Sequence, residues 1–329
     1  MSQAAFSRLS LAAGCLLLAA ACNAPSLTNL PMAANPAAMA AAKPAVKFVP
    51  GIAWNKEDKP IAGDGGMRVQ ASLPPSADLR PQMSPVANQQ DLGACTAFTY
   101  IKGLREFMAR KEGRTQPLSA RFFWYASRQL VDQALHPSPD ERYLTHNTGL
   151  PSMSFGAKAL KVLGTVTETT FPYPTLAEFA AVGKLPDEQQ AAKFHEMASV
   201  APPKAAFDAA KSYRVSQTLY EADSVHAMRK ALSDGHPVAL AVMLCQSFCT
   251  KEVKATGRVP MPKLPSEKFV GGHAMTAVGY DNAQRVFIIR NSWGPDWGDH
   301  GYCYIPYDYF NLKTPEGYPI AFGGYTYRD

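Results

Sequence analysis

Long apolar runs are scarce in this chain. The one conspicuous run, Leu9–Ala21 (LSLAAGCLLLAAA), falls well short of the roughly 20 residues that a bilayer-spanning helix needs, which weighs against a transmembrane segment. Charge is scarce too, at 18%, and the 33 Lys+Arg against 27 Asp+Glu (net +6) are scattered rather than clustered. That excludes the dense basic stripe of a nucleic-acid binder. Six cysteines are too few for a disulfide scaffold and too dispersed for a zinc ribbon, and nothing calls for a metal or a cofactor. There is no internal repeat. Core material, by contrast, is abundant. Hydrophobic residues make up 47% of 329 positions, which rules out a wholly disordered chain and suffices for one large domain or two modest ones. Twenty-seven prolines against 23 glycines point to long irregular connections.

Residues 1–21 read as an address. Arg8 gives a positive n-region, Leu9–Ala21 a short apolar core, and Leu18-Ala19-Ala20-Ala21 the small residues before a cut site. Cys22 stands where cutting is expected, and the arrangement resembles a bacterial lipoprotein signal, whose cysteine is acylated and becomes the mature N-terminus. The expectation is an exported protein of the cell envelope, anchored by a lipid on Cys22, with plain secretion as the alternative. Export removes the chain from a reducing cytoplasm. Cys245 and Cys249 in MLCQSFC then have two readings, a local disulfide or two free thiols. Cys303, in the apolar run Tyr302–Ile305, reads as a small buried side chain. Residues 22–72 form an Ala/Pro-rich tether and lead-in, in which Pro31, Pro36 and Pro44 interrupt any helix.

The folded body is expected over residues 73–329. Phe98, Ile101, Leu104 and Met108 keep helical spacing and predict a helix over Cys95–Lys111, stopped at Gly113. Ser119 caps a second helix, RFFWYASRQL, and a third ends at Gly164. DEQQAAKFHEMA continues the series after Leu185-Pro186, and Ser224 caps VHAMRKALSDG. The pattern then changes to strands at Val238–Met243, Ala274–Tyr280, Val286–Arg290 and Tyr302–Ile305. Helices followed by antiparallel strands predict an α+β protein with a helical half and a sheet half. A cleft between two such halves is a usual place for a site.

Three polar residues carry candidate chemistry. Cys95, in NQQDLGACTAF, begins the first long helix, where the macrodipole and free backbone N–H groups favour the nucleophilic thiolate. Taken alone it is as readily a buried small residue. His273, in FVGGHAMTAVGY, runs into a strand, and Asn291, in FIIRNSWGPDWGDHGY, follows the next one. Read singly, they are a core histidine and a turn asparagine. Adjacent antiparallel strands bring them side by side, so that Asn291 accepts a ring N–H and the other nitrogen is left for Cys95.

In that order, QQDLGACTAF, GGHAMTAVGY and RNSWGPDWGDHGY resemble the papain family of cysteine peptidases, over roughly Leu73 to the C-terminus. The resemblance implies a papain-like two-lobed α+β fold: a helical N-terminal lobe, an antiparallel β-barrel-like C-terminal lobe and a cleft between them. It implies Cys95 as nucleophile, His273 as general base and then acid, and Asn291 as orienter. Gln89 matches the glutamine whose amide joins the Cys95 N–H in an oxyanion hole, a contribution typically of about 3–4 kcal/mol per donor. Trp293 matches the indole covering the Asn–His bond, while Trp297 reads more plainly as core packing. HNTGLP at 146–151 is similar to the family segment that pairs with bound peptide. Gly149 would supply that pairing, Leu150 and Pro151 would be pocket walls, and Gly272 beside His273 is a further substrate-binding candidate. The implied activity is hydrolysis of a peptide or protein through a thioester on Cys95. A silent peptide-binding pseudoenzyme and an acyl or peptidyl transferase are the alternatives.

The sequence also departs from the familiar signature. Leu92 and Thr96 stand where plant and lysosomal members have cysteine and Trp or Tyr, a form that resembles bacterial members. Cys95 and His273 are farther apart than the roughly 130–150 residues usual there, which points to an insertion around Gly183–Val200, beside the cleft. The residues before Leu73 do not resemble a long helical propeptide. The enzyme is then either made active or covered by residues 48–70 as a short pro-segment. His136, His146, His195, His226 and His236 read as surface or loop residues, and His300 as a structural turn.

Overall fold

The computed structural model describes residues 58–63, 73–135, 138 and 142–328. The signal segment, Cys22, His136 and most of the tether lie outside the described residues.

The first predicted helix runs from residue 95 to 111, but not as one α-helix. This element, α1, is α-helical at Cys95–Phe98, π-helical at Thr99–Arg105 and α-helical again at Glu106–Lys111. The helical lobe continues with α2 (Ala120–Leu135), α3 (Met153–Leu163), α4 (Leu176–Val182), α5 (Asp187–Ser199) and α6 (Lys204–Ala209). Two of its starts follow directly from short polar side chains. Ser152 accepts from the Phe155 amide to open α3, and Thr175 with Glu178 forms a full capping box on α4.

The sheet lobe holds β1 (Ser76–Asp78), β2 (Thr218–Glu221), β3 (Val238–Cys245), β4 (Phe269–Asp281), β5 (Val286–Arg290), β6 (Tyr302–Pro306) and β7 (Ala321–Arg328). Between β2 and β3, α7 (Val225–Ser233) is capped by Ser224, which accepts from the Ala227 amide. The short α8 (Lys251–Thr256) lies between β3 and β4. The strands run antiparallel in the order β2-β7-β3-β4-β5-β6, and β1 extends the β3 side of β4. Sequence periodicity finds the central strands and misses β1, β2 and β7.

Side-chain alternation decides how the lobes meet. One face of the sheet turns Leu240, Val242, Met275, Phe287 and Ile289 into the sheet lobe's own core. The other turns Ala239, Ala241, Ala274, Phe322 and Tyr325 into the core of the helical lobe. Three of those five are alanines, which lets α1 approach the sheet closely. The contact tightens at Gly103, where a Cβ would stand 2.0 Å from Thr276 Oγ1. The Thr276 hydroxyl in turn donates to the Thr99 carbonyl at 3.3 Å, in the π-helical stretch. The result is an α+β molecule whose two lobes meet along α1 and β4.

Two sequence expectations change here. Cys245 is a free, buried thiol, so the local Cys245–Cys249 disulfide is not formed. Cys245 closes β3 facing the Tyr309 hydroxyl and Glu267, and burial pushes its thiol up to about 12. Residues 58–63, read as part of a loose lead-in, are built into the body: Ile61 is buried in the sheet-lobe core, and its amide donates to Ala321 O at 3.0 Å.

Candidate active site

The loop before α1 is laced to the loop after β5. The Gln89 amide donates to Ser292 O at 2.8 Å, Asn88 pairs with Trp293, and the Gly294 amide donates to Ala87 O at 3.2 Å. These bonds place Gln89 and Cys95 from one lobe against Asn291 and Trp293 from the other. Cys95 is the first residue of α1 and fully buried, and its Sγ accepts from the Ala274 amide at 3.4 Å. The sulfur therefore lies against β4 at the residue next to His273.

Strand register brings the other two groups together. Thr276 pairs with Arg290 across β4 and β5, so His273 and Asn291 sit at the same end of that ladder. His273 Nε2 lies 2.8 Å from Asn291 Oδ1, which also accepts from the Ser292 amide at 2.8 Å. An oxygen that already accepts from a backbone N–H identifies Nε2 as the donor, which leaves Nδ1 as the basic nitrogen. Burial lowers the imidazole to about 4, and the Asn291 hydrogen bond opposes that fall. The ring is therefore neutral through the mildly acidic and neutral range, the state a general base requires.

Trp293 stacks on the His273 ring with centroids 4.9 Å apart and planes 29° apart. Trp297 meets Trp293 edge-on and stacks on Phe248, and it is itself buried as ordinary core. Trp293, backed by Trp297 and Phe248, covers the ring, and His273 and Asn291 are both buried, so their bond lies in a low dielectric that strengthens it.

Gln89 is buried, and both ends of its side chain are held. Oε1 accepts from Ser292 Oγ at 2.5 Å, and Nε2 donates one hydrogen to Leu92 O at 2.8 Å. A primary amide carries two N–H bonds, so one remains for an acceptor in the site. Ser292 is thus a positioning residue that sequence reasoning missed, although it stands next to Asn291 in the quoted motif. Tyr173 is another, since its hydroxyl donates to Gln89 O at 2.8 Å and its ring meets Phe98 edge-on. No sequence signal singled it out.

On the helical side, Asn147 joins the 146–151 loop to the Gln89–Cys95 loop. Its Oδ1 accepts from the Gly93 amide at 2.7 Å and its Nδ2 donates to Asp91 O at 2.9 Å. Trp124 Nε1 donates to Thr148 O at 2.9 Å. Gly149 and Leu150 are buried and Pro151 half-buried, with Leu150 part of the helical-lobe core. Gly272 is buried on β4, paired with Met243 of β3. Arg128, fully buried, spreads its guanidinium over the carbonyls of Trp124, Tyr143, His146 and Ala198. With no carboxylate among those acceptors, burial lowers it to about 9. α5, in the stretch that the sequence reads as an insertion, is therefore tied to the loop before Asn147, and Ser199 Oγ adds a bond to Leu144 O at 2.7 Å. His146 and His195, both read as bland, meet edge-on across this seam at 5.5 Å.

This geometry agrees with the comparisons to known proteins. Residues 73–314 match the family described as papain family cysteine protease. The chain belongs to that family. It is 27% identical over 237 residues to an uncharacterized peptidase C1-like protein, L477, of Acanthamoeba polyphaga mimivirus, covering 70% of this chain and 66% of that protein. It is 26% identical over 261 residues to cathepsin L2 of Homo sapiens, covering 75% of this chain and 66% of the relative. The matched part thus spans just under two-thirds of each of these relatives. Among solved structures, xylellain, a cysteine protease from Xylella fastidiosa, superposes with a TM-score of 0.63 at 24% identity, covering 85% of this chain and 94% of that one. That likeness establishes the papain-like fold.

Proposed function

We propose that this papain-family chain is a thiol peptidase that hydrolyses peptide bonds with Cys95, His273 and Asn291. The observation that carries the reading is the His273 Nε2–Asn291 Oδ1 bond, made on the strand whose next amide, Ala274, donates to the Cys95 sulfur. His273 Nδ1 takes the thiol proton as sulfur attacks the substrate carbonyl carbon. The carbonyl oxygen, now negative, is met by the Cys95 N–H and the remaining Gln89 Nε2–H. As the C–N bond breaks, the imidazolium gives its proton to the leaving amine, and a thioester stays on Cys95. Water, deprotonated by the same nitrogen, attacks the thioester and releases the acid and the free thiol. Asn291 holds the ring in the tautomer that both half-reactions need.

The test is labelling of the purified protein with an epoxysuccinyl peptide, followed by mass spectrometry and assay on a casein digest. One adduct, on Cys95, together with hydrolysis lost in Cys95→Ala, is the expected result. Unlabelled Cys95 in a folded protein would overturn the reading. Addition of amines to the same assay separates hydrolysis from transfer, because a transferase yields ligated product. We further propose export and lipid anchoring at Cys22, on the strength of the N-terminal pattern alone. Cys22→Ser should then move the protein from the membrane to the soluble fraction, and unchanged fractionation would refute the anchor.

A further inference from the structure

The segment Asp58–Ala62 crosses from one lobe to the other beside the 146–151 loop. At one end Asp58 is only 1% exposed, and its carboxylate accepts from the Met153 amide at 2.7 Å and the Ser154 amide at 2.8 Å. With Ser152 taking the Phe155 amide, the first three N–H groups of α3 all have side-chain acceptors. An ionised carboxylate at this helix start is the stronger kind of cap. At the other end Lys59 O accepts from the Gly323 amide at 2.9 Å, the Ala62 amide donates to Asp223 O at 2.8 Å, and Ala62 O accepts from the Val225 amide at 2.9 Å. Ile61 fills the sheet-lobe core between them. The receiving strand is cut to fit: Gly323 has φ +67°, and a Cβ there would stand 2.5 Å from Met153 Cβ and 3.5 Å from Asp58 Cγ.

We propose that Asp58–Ala62 is a strap that fixes the Gly149–Pro151 loop against β7, with Asp58 as a positioning residue for substrate. The loop is anchored upstream by Asn147 and Trp124, and Asp58 supplies the downstream anchor, two residues past Pro151. The strap is a working part of the enzyme, so any trimming of the upstream chain ends before Asp58. This rests on the peptidase reading above and on the assignment of Gly149–Pro151 as the edge that meets the peptide.

The test uses the full chain as wild type, Asp58→Ala and Asp58→Asn, the second retaining one acceptor oxygen should the first fold poorly. An epoxysuccinyl-leucyl peptide reports cleft binding as KI and thiol reactivity as kinact, iodoacetamide reports the thiol alone, and amide hydrogen exchange reports the loop. In Asp58→Ala, KI should rise about tenfold while kinact and iodoacetamide labelling stay within about twofold, and the asparagine variant should fall between. Amides should exchange faster at Met153 and Ser154 and back through Thr148–Leu150. The N-terminus of the labelled wild-type protein should lie at or before Asp58. The strap is overturned if KI holds while faster exchange is confined to Met153 and Ser154, or if the labelled protein starts after Ala62. Wild type that rejects the peptide epoxide, with exchange at Thr148–Leu150 still faster in Asp58→Ala, would sink the peptidase reading and leave the loop anchor standing.

Discussion

The two walls of the cleft are held by different means. On the sheet side, His273 and Asn291 owe their places to strand register, a ladder of backbone bonds that continues through β3, β4, β5 and β6. On the helical side, the Gln89–Cys95 and Asn147–Pro151 loops have no ladder. Beyond the backbone bonds that tie Ala87 and Gln89 to the loop after β5, they hang on single side chains: Asn147, Trp124, Tyr173, Arg128 and Gln89 itself. Register distributes a position over many bonds, whereas a side-chain tether concentrates it in one or two. Substitutions on the sheet wall should therefore change chemistry and little else, and those on the helical wall should also change shape and stability.

Among substitutions that keep the Cys95 thiol, the largest expected effect is Gln89→Ala, with kcat lower by roughly 100- to 1,000-fold and KM nearly unchanged, because the lost donor meets an oxyanion that exists only in the transition state. Steady-state kinetics on a fluorogenic peptide decide it, and a change in KM alone would remove Gln89 from that role. On the opposite wall, Asn291→Ala should lower kcat by about 100-fold through loss of the ring tautomer, with a melting temperature close to wild type. An equal loss of activity accompanied by unfolding would erase the contrast between the walls. Asn147→Ala should cost about 1–3 kcal/mol in urea unfolding, since it frees a buried amide and a carbonyl at once. Thr276→Val, which removes a 3.3 Å hydroxyl bond from the sheet wall, should cost at most about 1 kcal/mol by the same measurement.

The pH response sharpens the comparison further. His273 is lowered to about 4 in the folded chain and returns to about 6.5 when unfolded, so between those values the unfolded state binds more protons. Its contribution to stability is present above about 6.5 and is lost as pH falls toward 4. Urea midpoints followed from pH 7 to 4 should fall less steeply in His273→Gln than in wild type. Parallel slopes would mean that the ring is not held neutral by its surroundings.

The meeting of Cys95, His273 and Asn291 was legible in the sequence because they sit in local patterns whose elements, a helix start and two strand ends, are themselves readable. The supports on the helical wall were not. Arg128 looks like one charged residue in the helical run RFFWYASRQL, and nothing local says that it is buried beneath four carbonyls from three segments. Asn147 sits within HNTGLP with nothing local to say that Gly93 and Asp91 are brought against it. β7 escaped because Gly323 and Gly324 interrupt its apolar alternation, and those glycines are demanded by Met153 at the start of α3 and by Ala222 just past β2, not by anything nearby in the chain. Asp58 was hidden by its setting, one of several acids in a Gly- and Pro-bearing stretch, with partners almost a hundred residues on.

The widened turns of α1 have a consequence for the far end of that helix. Each residue of an ordinary α-helix rotates its side chain by about 100°. Deleting one position within Thr99–Arg105 would restore regular winding and swing Glu106 away from Lys102, Ser84 and the Leu118 amide, its present partners. The stretch works as a phase adapter. It lets one continuous rod aim Cys95 at the sheet from its first turn and a buried carboxylate at a different set of partners three turns later, two bearings that a uniform helix of this length would not combine.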